Sequence, residues 1–263
     1  LILSPGGLAA RPPIDGLDSP RVHTLRTVDD ALALREASGT RAVVLGAGFI
    51  GIEATDALAQ RGFETHLVEY AEHVLPPLEV EMATLVTHEL RGLGVCVHAG
   101  VAAQSITHGD DHDSVTLSDG TELSADVIVL STGVRPDTAF AAAAGIETSR
   151  GYILVDEHGR TSADDVYAIG DGTMGRDHDR PVALAGPANR GGRLVADAIA
   201  DAEHGEATAR PIPSPQGTAL VRIGSLTAAM TGANRQALDA SGADYFTVHT
   251  HANQHAGYFP GAK

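Results

Sequence analysis

Hydrophobic positions between residues 41 and 69 follow two different periods in turn. Ala42, Val43, Val44 and Leu45 form an unbroken apolar run, the pattern of a short strand buried on both faces. Ile50, Ala54, Ala57 and Leu58 then recur at helical spacing and predict a helix that packs through that face and ends near Gly62. Residues 65–68 give a second strand, which terminates in Glu69. Upstream, residues 1–11 read as strand and turn, with Leu1 to Leu3 in the middle of a buried strand. Pro12, Pro13 and Pro20 forbid a helix through the segment that follows. Residues 27–36 return to helical spacing through Val28, Leu32 and Leu34, with Asp29 and Asp30 in the first turn.

Downstream, Leu75-Pro76-Pro77-Leu78 breaks the chain before a predicted helix over 79–90 that carries Met82, Leu85, Val86 and Leu90. From residue 95 the pattern shortens to strands at 95–98, 102–107, 114–117 and 122–124. Asp119-Gly120 joins the last two and predicts a type I′ hairpin turn. Residues 126–131 read as a buried, parallel-type strand. A short apolar strand runs into Gly170-Asp171, and a helix through about residue 200 packs by Leu194, Val195, Ala198 and Ile199, with Pro187 in its first turn. Residues 205–217 read as a linker. A strand at 218–223, a helix at 233–240, a strand at 245–250 and a polar, aromatic loop at 251–261 complete the chain. Strands alternating with helices predict an α/β fold with a parallel sheet.

The 263 residues are 43% hydrophobic and contain no apolar run long enough to span a bilayer, so neither a membrane nor a membrane partner is expected, and a cytoplasmic location is. A formal charge of -16 argues against nucleic acid, whose phosphates would be repelled. The single cysteine, Cys96, rules out an internal disulfide and is expected as a buried, inert thiol in a strand. His108 and His112 with Asp110, Asp111 and Asp113 read as a solvated turn, and His251 and His255 lie in a loop broken by Gly257 and Pro260. No metal site is expected at either place.

The chemistry concentrates where the first period gives way to the second, at Gly46-x-Gly48-x-x-Gly51. Gly46 permits a tight turn, Gly48 lets backbone approach a pyrophosphate, and Gly51 lets the helix pack hard on the strand. The helix start offers unpaired N–H groups and partial positive charge to that pyrophosphate. Glu69, 18 residues past Gly51, is placed to accept both hydroxyls of an adenosine ribose, which favours NADH over NADPH. Gly170-Asp171 would put a carboxylate at the carboxyl edge of a sheet, where it could accept a polyol hydroxyl beside a phosphate. By itself the pair is equally the turn at a strand end. Ala185-Gly186-Pro187-Ala188 opens a further helix whose positive end would face whatever Asp171 holds.

Four motifs in order carry a resemblance. They are Gly46-Ala47-Gly48-Phe49-Ile50-Gly51-Ile52-Glu53, Ser131-Thr132-Gly133-Val134-Arg135-Pro136, Tyr167-Ala168-Ile169-Gly170-Asp171, and the run from Leu184 to Arg193. With them the chain resembles the pyridine nucleotide-disulfide oxidoreductases, in the branch that holds coenzyme A-disulfide reductase, NADH oxidase and NADH-dependent persulfide reductase. The closing segment from His255 to Gly261 is similar to the dimerisation-domain loop of that branch.

The resemblance implies a Rossmann-like fold for two cofactors, FAD and NADH. An NAD-binding domain (39–130) is inserted into an FAD-binding domain (1–38 and 131–205), and an α+β dimerisation domain starts at 216. It implies a homodimer passing a hydride from NADH to flavin and on to a small molecule: a CoA disulfide, a persulfide or oxygen. The implied cofactor contacts are Gly46, Gly48, Phe49, Ile50, Gly51, Glu69, Gly133, Gly170, Asp171, Ala185, Gly186 and Ala188, with Asp171 on the flavin ribitol. Glu53 falls beside the nicotinamide and flavin rings, and Tyr258 reaches the site from the partner chain, Phe259 standing where a second tyrosine is common. A first FAD-binding glycine turn and the redox cysteine are expected upstream of Leu1, so that the activity belongs to a longer protein. The alternatives are an NADH oxidase, a ferredoxin- or rubredoxin-type reductase without a redox cysteine, and a non-enzymatic NADH-binding module.

Overall fold

The computed structural model describes residues 1–178, 180–251 and 255–261. Three short strands, β1 (Ile2–Leu3), β2 (Gly7–Ala9) and β3 (Val22–His23), precede helix α1 (Val28–Glu36). Next come β4 (Arg41–Leu45), α2 (Phe49–Gln60), β5 (Glu64–Glu69), α3 (Val80–Gly92) and β6 (Cys96–Ala99). A meander of β7 (Ala103–Thr107), β8 (Asp113–Leu117) and β9 (Glu122–Ala125) leads to β10 (Val127–Leu130). The returning half contains β11 (Val134–Pro136), α4 (Ala139–Ala143), β12 (Thr148–Ser149), β13 (Tyr152–Val155), β14 (Tyr167–Ala168), β15 (Thr173–Gly175) and the long α5 (Ala185–His204). A hairpin of β16 (Ala219–Ile223) and β17 (Leu226–Met230) completes a first compact unit, Leu1–Gly232, and α6 (Arg235–Ser241) lies in a second, Ala233–Lys263. No helix among the described residues is long and apolar enough to cross a membrane.

The central sheet is parallel, in the order β3-β10-β4-β5-β6. Its two covered faces explain the unbroken apolar run in β4. Ala42 and Val44 enter a core with Ile52 and Leu58 of α2 and Val86 and Leu90 of α3. Val43 and Leu45 face the other way, onto Ile106, Val115 and Leu117 of the meander. Burying a side chain of this size is worth about 1.5–3 kcal/mol, so a polar residue anywhere in the run would be costly. Val221 and Ile223 of the hairpin join the helix-side core, and the hairpin tip is bolted to it by carboxylates. Gly224 N–H donates to Asp56 at 3.1 Å, and Ser225 N–H and Oγ donate to Glu89 at 2.8 and 2.9 Å.

Several expectations are corrected here. Ile50 and Ala57 are exposed, and the buried stripe of α2 is Gly51, Ile52, Ala54, Thr55 and Leu58. Gly51 must face the β4 turn, and at about 100° per residue this turns Ile50 away from the core. Likewise α3 buries Ala83, Val86 and Leu90 and leaves Met82 and Leu85 exposed, while α1 buries only Leu34. Thr27 and Asp30 close α1 with a capping box, which the pattern had shown only as two acids. Asp119 keeps a negative φ, so the hairpin uses a type I turn completed by Gly120 at φ 86°, with Gly120 N–H donating to Leu117 O at 3.0 Å. Cys96 is exposed because β6 is the edge strand. Leu1 and Ile2 are exposed as well, since among the described strands β1 pairs only with β14, and of its residues Leu3 packs against the small core around Ile153 and Ala168.

Residues 245–250 form no strand. No described strand pairs with them, and Phe246 and Val248 are exposed. Asp113, expected in a solvated turn, is fully buried. Arg21 and His108 reach its carboxylate at 2.9 and 2.8 Å, and Ser19 donates to it. Burial pushes its pKa up, but the bonds from Ser19, His108 and Arg21 prevail and hold it below the ordinary carboxylate range. Together these bonds staple the Pro-rich crossing to the meander.

Candidate functional site

The glycine turn sits at the carboxyl end of β4, and contact distances separate the jobs of its glycines. Gly46 has φ 99°, and a Cβ there would lie 2.5 Å from the Ser131 carbonyl oxygen, so both conformation and space demand glycine. A Cβ on Gly51 would lie 1.8 Å from Gly46 O, which is how tightly α2 is pressed onto the turn. Around Gly48 nothing lies within 4 Å of the same position. Its missing side chain leaves space that no described residue fills, directly at the N-cap of a helix with no side-chain cap. Phe49 is half-buried and packs against the helix-side core, fixing the first turn of α2.

Two further groups lock this turn. Ser131, at the end of β10, donates its backbone N–H to Leu45 O at 2.8 Å, and its hydroxyl lies 2.9 Å from both Leu45 O and Gly46 O. At the tip of β5, Glu69 accepts from Ala47 N–H at 2.7 Å through Oε2 and from Ala71 N–H at 2.8 Å through Oε1. Each carboxylate oxygen keeps a second lone pair, so the residue can hold the loop and still receive two hydroxyls. The sequence pattern showed Glu69 as a ribose ligand but not as the brace of the turn, and it gave Ser131 no role of its own.

The returning half brings the second motif to the same place. β1 and β14 pair in parallel, with Leu3 opposite Ala168, so the loop after β1 and the loop after β14 emerge side by side. Gly170, at φ 81°, has Ala188 of α5 and Ser4 just within contact of its Cβ position, and its carbonyl accepts from Thr173 Oγ at 2.7 Å. α5 begins at Ala185 after Leu184 with no side-chain cap, and the Cβ positions of Gly186 and Gly133 are open. A cleft of about 260 Å3 joins Gly6, Arg26, Ile50, Ser131, Gly133 and Asp171. Ile50, whose exposure made no sense for a core residue, is a wall of this cleft.

Glu53 is exposed on α2 and does not line the cleft. Tyr258 belongs to the second compact unit, where it is 84% exposed with its ring centroid 5.0 Å from that of Phe259. Within the closing loop, residues 252–254 lie outside the described residues, so the spacing of His251 and His255 is not at issue. A larger cleft, about 470 Å3, lies between α3 and β6 beside Thr84, His88, Arg91 and His98. It shares no residue with the glycine turn or with Asp171 and is not part of this site.

The open Cβ positions at Gly48, Gly133 and Gly186, two uncapped helix starts and a half-exposed carboxylate at Asp171 fit two dinucleotide cofactors meeting at one cleft. Residues 1–202 match the family model described as "Pyridine nucleotide-disulphide oxidoreductase". The rubredoxin-NAD(+) reductase of Alcanivorax borkumensis is 37% identical over 204 residues, 76% of this chain and 53% of that protein. Two solved structures superpose over nearly all of the chain. The reduced CoADR-RHD of Bacillus anthracis has a TM-score of 0.92 at 35% identity, over 99% of this chain and 47% of its own. The NAD-dependent persulfide reductase of A. fulgidus has a TM-score of 0.93 at 33% identity, over 100% and 49%. The chain thus spans about half the length of these relatives.

Proposed function

Because the chain belongs to the pyridine nucleotide-disulphide oxidoreductase family, we propose that the protein passes a hydride from NADH to FAD and then electrons to a CoA disulfide or a persulfide. The observation that carries this reading is the cleft itself, which Ile50 of the NADH motif, Asp171 of the flavin motif and Gly133 all line. The bound nicotinamide supplies the hydride and the bound flavin accepts it. Everything else is positioning by the chain. The first turn of α2 and the open backbone at Gly48 take the NADH pyrophosphate, and Glu69 takes the adenosine ribose hydroxyls. A 2′-phosphate at Glu69 would meet a carboxylate, hence NADH in preference to NADPH. Asp171 accepts a ribityl hydroxyl, and Gly170 leaves room for the adjoining phosphate. The start of α5, at Ala185, Gly186 and Ala188, favours negative charge developing on the flavin. In a homodimer, Tyr258 of the second copy reaches the acceptor side.

A sulfur acceptor is supported by the two superposed structures, whose likeness runs through the C-terminal unit as well as the nucleotide-binding part. A second reading, reduction of a small electron-transfer protein, is supported by the 37% identity to the rubredoxin reductase. Stopped-flow spectroscopy of the full-length protein separates them. After reduction by NADH, the flavin is mixed with CoA disulfide, a persulfide, oxygen or oxidised rubredoxin. Fast reoxidation by the sulfur compounds alone is the expected result. Reoxidation by rubredoxin or oxygen, with the sulfur compounds inert, would overturn it.

A further inference from the structure

Two imidazoles meet beside the open edge of the parallel sheet. Among the described strands, β6 pairs with β5 alone. His66 of β5 stands opposite Cys96, and His98 of β6 stands opposite Val68. The two histidines are therefore diagonal neighbours on the face that carries Val68 onto the meander. His66 Nδ1 and His98 Nε2 lie 3.0 Å apart, and the rings stack with centroids 5.3 Å apart. This contact is a hydrogen bond only while one of the facing nitrogens has a proton and the other a lone pair. A first added proton preserves it, because an imidazolium still donates to an imidazole. A second puts N–H against N–H and two positive charges side by side.

The surroundings do little to relieve that second charge. Glu64 Oε1 lies 3.7 Å from His66 Nε2, and the residue opposite His66 on β4 is apolar Val43. His98 is half-buried and lines the cleft of about 470 Å3 between α3 and β6. The other charged or titratable groups there are Glu72 and His73 of the loop after β5, His88 and Arg91 of α3, and Asp119 of the β8–β9 turn. Burial, and after it the charge on His66, push the His98 imidazole below the ordinary histidine value, while Asp119 opposes them. From His98 the ladder runs straight to the nucleotide site. Ala99 stands opposite Glu69, Gly100 N–H donates to Ala71 O at 2.8 Å, and Val101 N–H donates to Glu69 O at 3.1 Å. Glu69 in turn accepts from Ala47 and Ala71 N–H. β6 therefore splints, from the sheet edge, the acid that braces the glycine turn.

We propose that the His66–His98 pair is an acid-sensitive latch on the edge strand, closed at neutral pH and opened by a second proton, and that opening it loosens Glu69 and weakens nucleotide binding. The effect on binding rests on the dinucleotide reading above, whereas the effect on the strand does not. A histidine whose value is lowered in the fold lends stability that is whole above its unfolded value, about 6.5, and is lost as the pH falls below it. The full chain and its His98→Gln and His66→Gln variants are titrated with ADP-ribose from pH 8 to pH 5 at constant ionic strength. Amide exchange at Gly100 and Val101 is followed over the same range. Glutamine can hydrogen-bond to the remaining histidine without itself taking up a proton. Wild-type affinity is expected to fall about threefold or more across the range, with a ceiling of tenfold per pH unit for one proton. Exchange at Gly100 and Val101 should speed up in acid relative to both variants at the same pH, and the variants' binding profiles should be flatter. Parallel profiles in wild type and both variants overturn the latch. Faster exchange in acid with unchanged ADP-ribose affinity overturns its link to the nucleotide. A wild-type chain that does not bind ADP-ribose at pH 8 sinks the dinucleotide reading, and the exchange profiles still decide the latch.

Discussion

Replacing Gly46 and Gly48 separately by alanine should divide fold from function within three residues. At Gly46 the new Cβ would lie 2.5 Å from Ser131 O, a backbone atom that Ser131 cannot withdraw without breaking its own bond to Leu45. The φ of 99° adds strain for any residue with a side chain. Backbone strain of about 1–2 kcal/mol and overpacking of about 1–3 kcal/mol together predict a loss of about 2–5 kcal/mol. For a chain of this size that lowers Tm by roughly 5–15 °C. At Gly48 nothing lies within 4 Å, and φ -71° with ψ -175° is accessible to alanine. The small loss of a glycine N-cap is offset by a less flexible unfolded chain, so stability should stay within about 1 kcal/mol. The methyl would nevertheless stand in the path of the pyrophosphate. If that contact costs about 2–3 kcal/mol, NADH affinity falls about 30-fold or more. Urea denaturation and NADH fluorescence titration on both variants read these numbers. Wild-type NADH affinity in Gly48→Ala would refute the assigned ligand path. A Gly48→Ala protein as unstable as Gly46→Ala would refute the open space assigned to the Gly48 position.

Glu69→Gln should weaken NADH about tenfold while raising relative affinity for NADPH, and should cost about 1–2 kcal/mol of stability because Ala47 and Ala71 N–H lose a charged acceptor. Parallel titrations with the two nucleotides and a urea melt check both parts. Asp126 receives Arg41 Nη2 at 2.6 Å together with the backbone N–H groups of Thr40 and Arg41, and first of all the Arg41 bond holds its carboxyl well below the usual range. A depressed carboxylate stabilises the fold above its unfolded pKa, about 3.9, and that stability drains away as the pH falls through the unfolded value toward the folded one. Tm measured from pH 7 to pH 2.5 should therefore fall steeply below about pH 4 in wild type and less steeply in Asp126→Asn, which starts from a lower Tm. Ile223→Ala removes a fully buried side chain from the helix-side core and should cost about 2–4 kcal/mol by chemical denaturation, although Ile223 lies far along the chain from the strands it stabilises.

What could be read from the chain beforehand was whatever depends on neighbours in sequence. The β4 run, the glycine turn and the acid at the end of β5 declare themselves because strand, turn and helix are contiguous. The rotation of α2 did not, since small residues such as Ala54 and Ala57 make several helix faces look alike, and only the contact between Gly51 and Gly46 O selects one. Cys96 looked buried because an alternating strand carries no mark of being at the edge of its sheet. Asp113 looked solvated among His108, Asp110 and Asp111, and its partner Arg21 is 92 residues away. The flavin-side motif was ambiguous as a dipeptide and became a site only when β1 and β14 placed it against the cleft.

These non-local contacts converge on one helix. The N-terminal turn of α2 is pressed against Gly46 O and braced from behind by Ser131, while Asp56, later in the same helix, holds the tip of the 219–230 hairpin. Glu89 of α3 grips the next residue of that tip, and Val221 and Ile223 fill the space beneath it. A helix fixed at both ends keeps its unpaired N–H groups where a pyrophosphate will need them, so binding does not have to order them first. On this view the hairpin contributes to nucleotide binding without approaching the nucleotide. Its contribution is to the rigidity of α2, and the open space at Gly48 is useful only because the rest of the helix has nowhere to move.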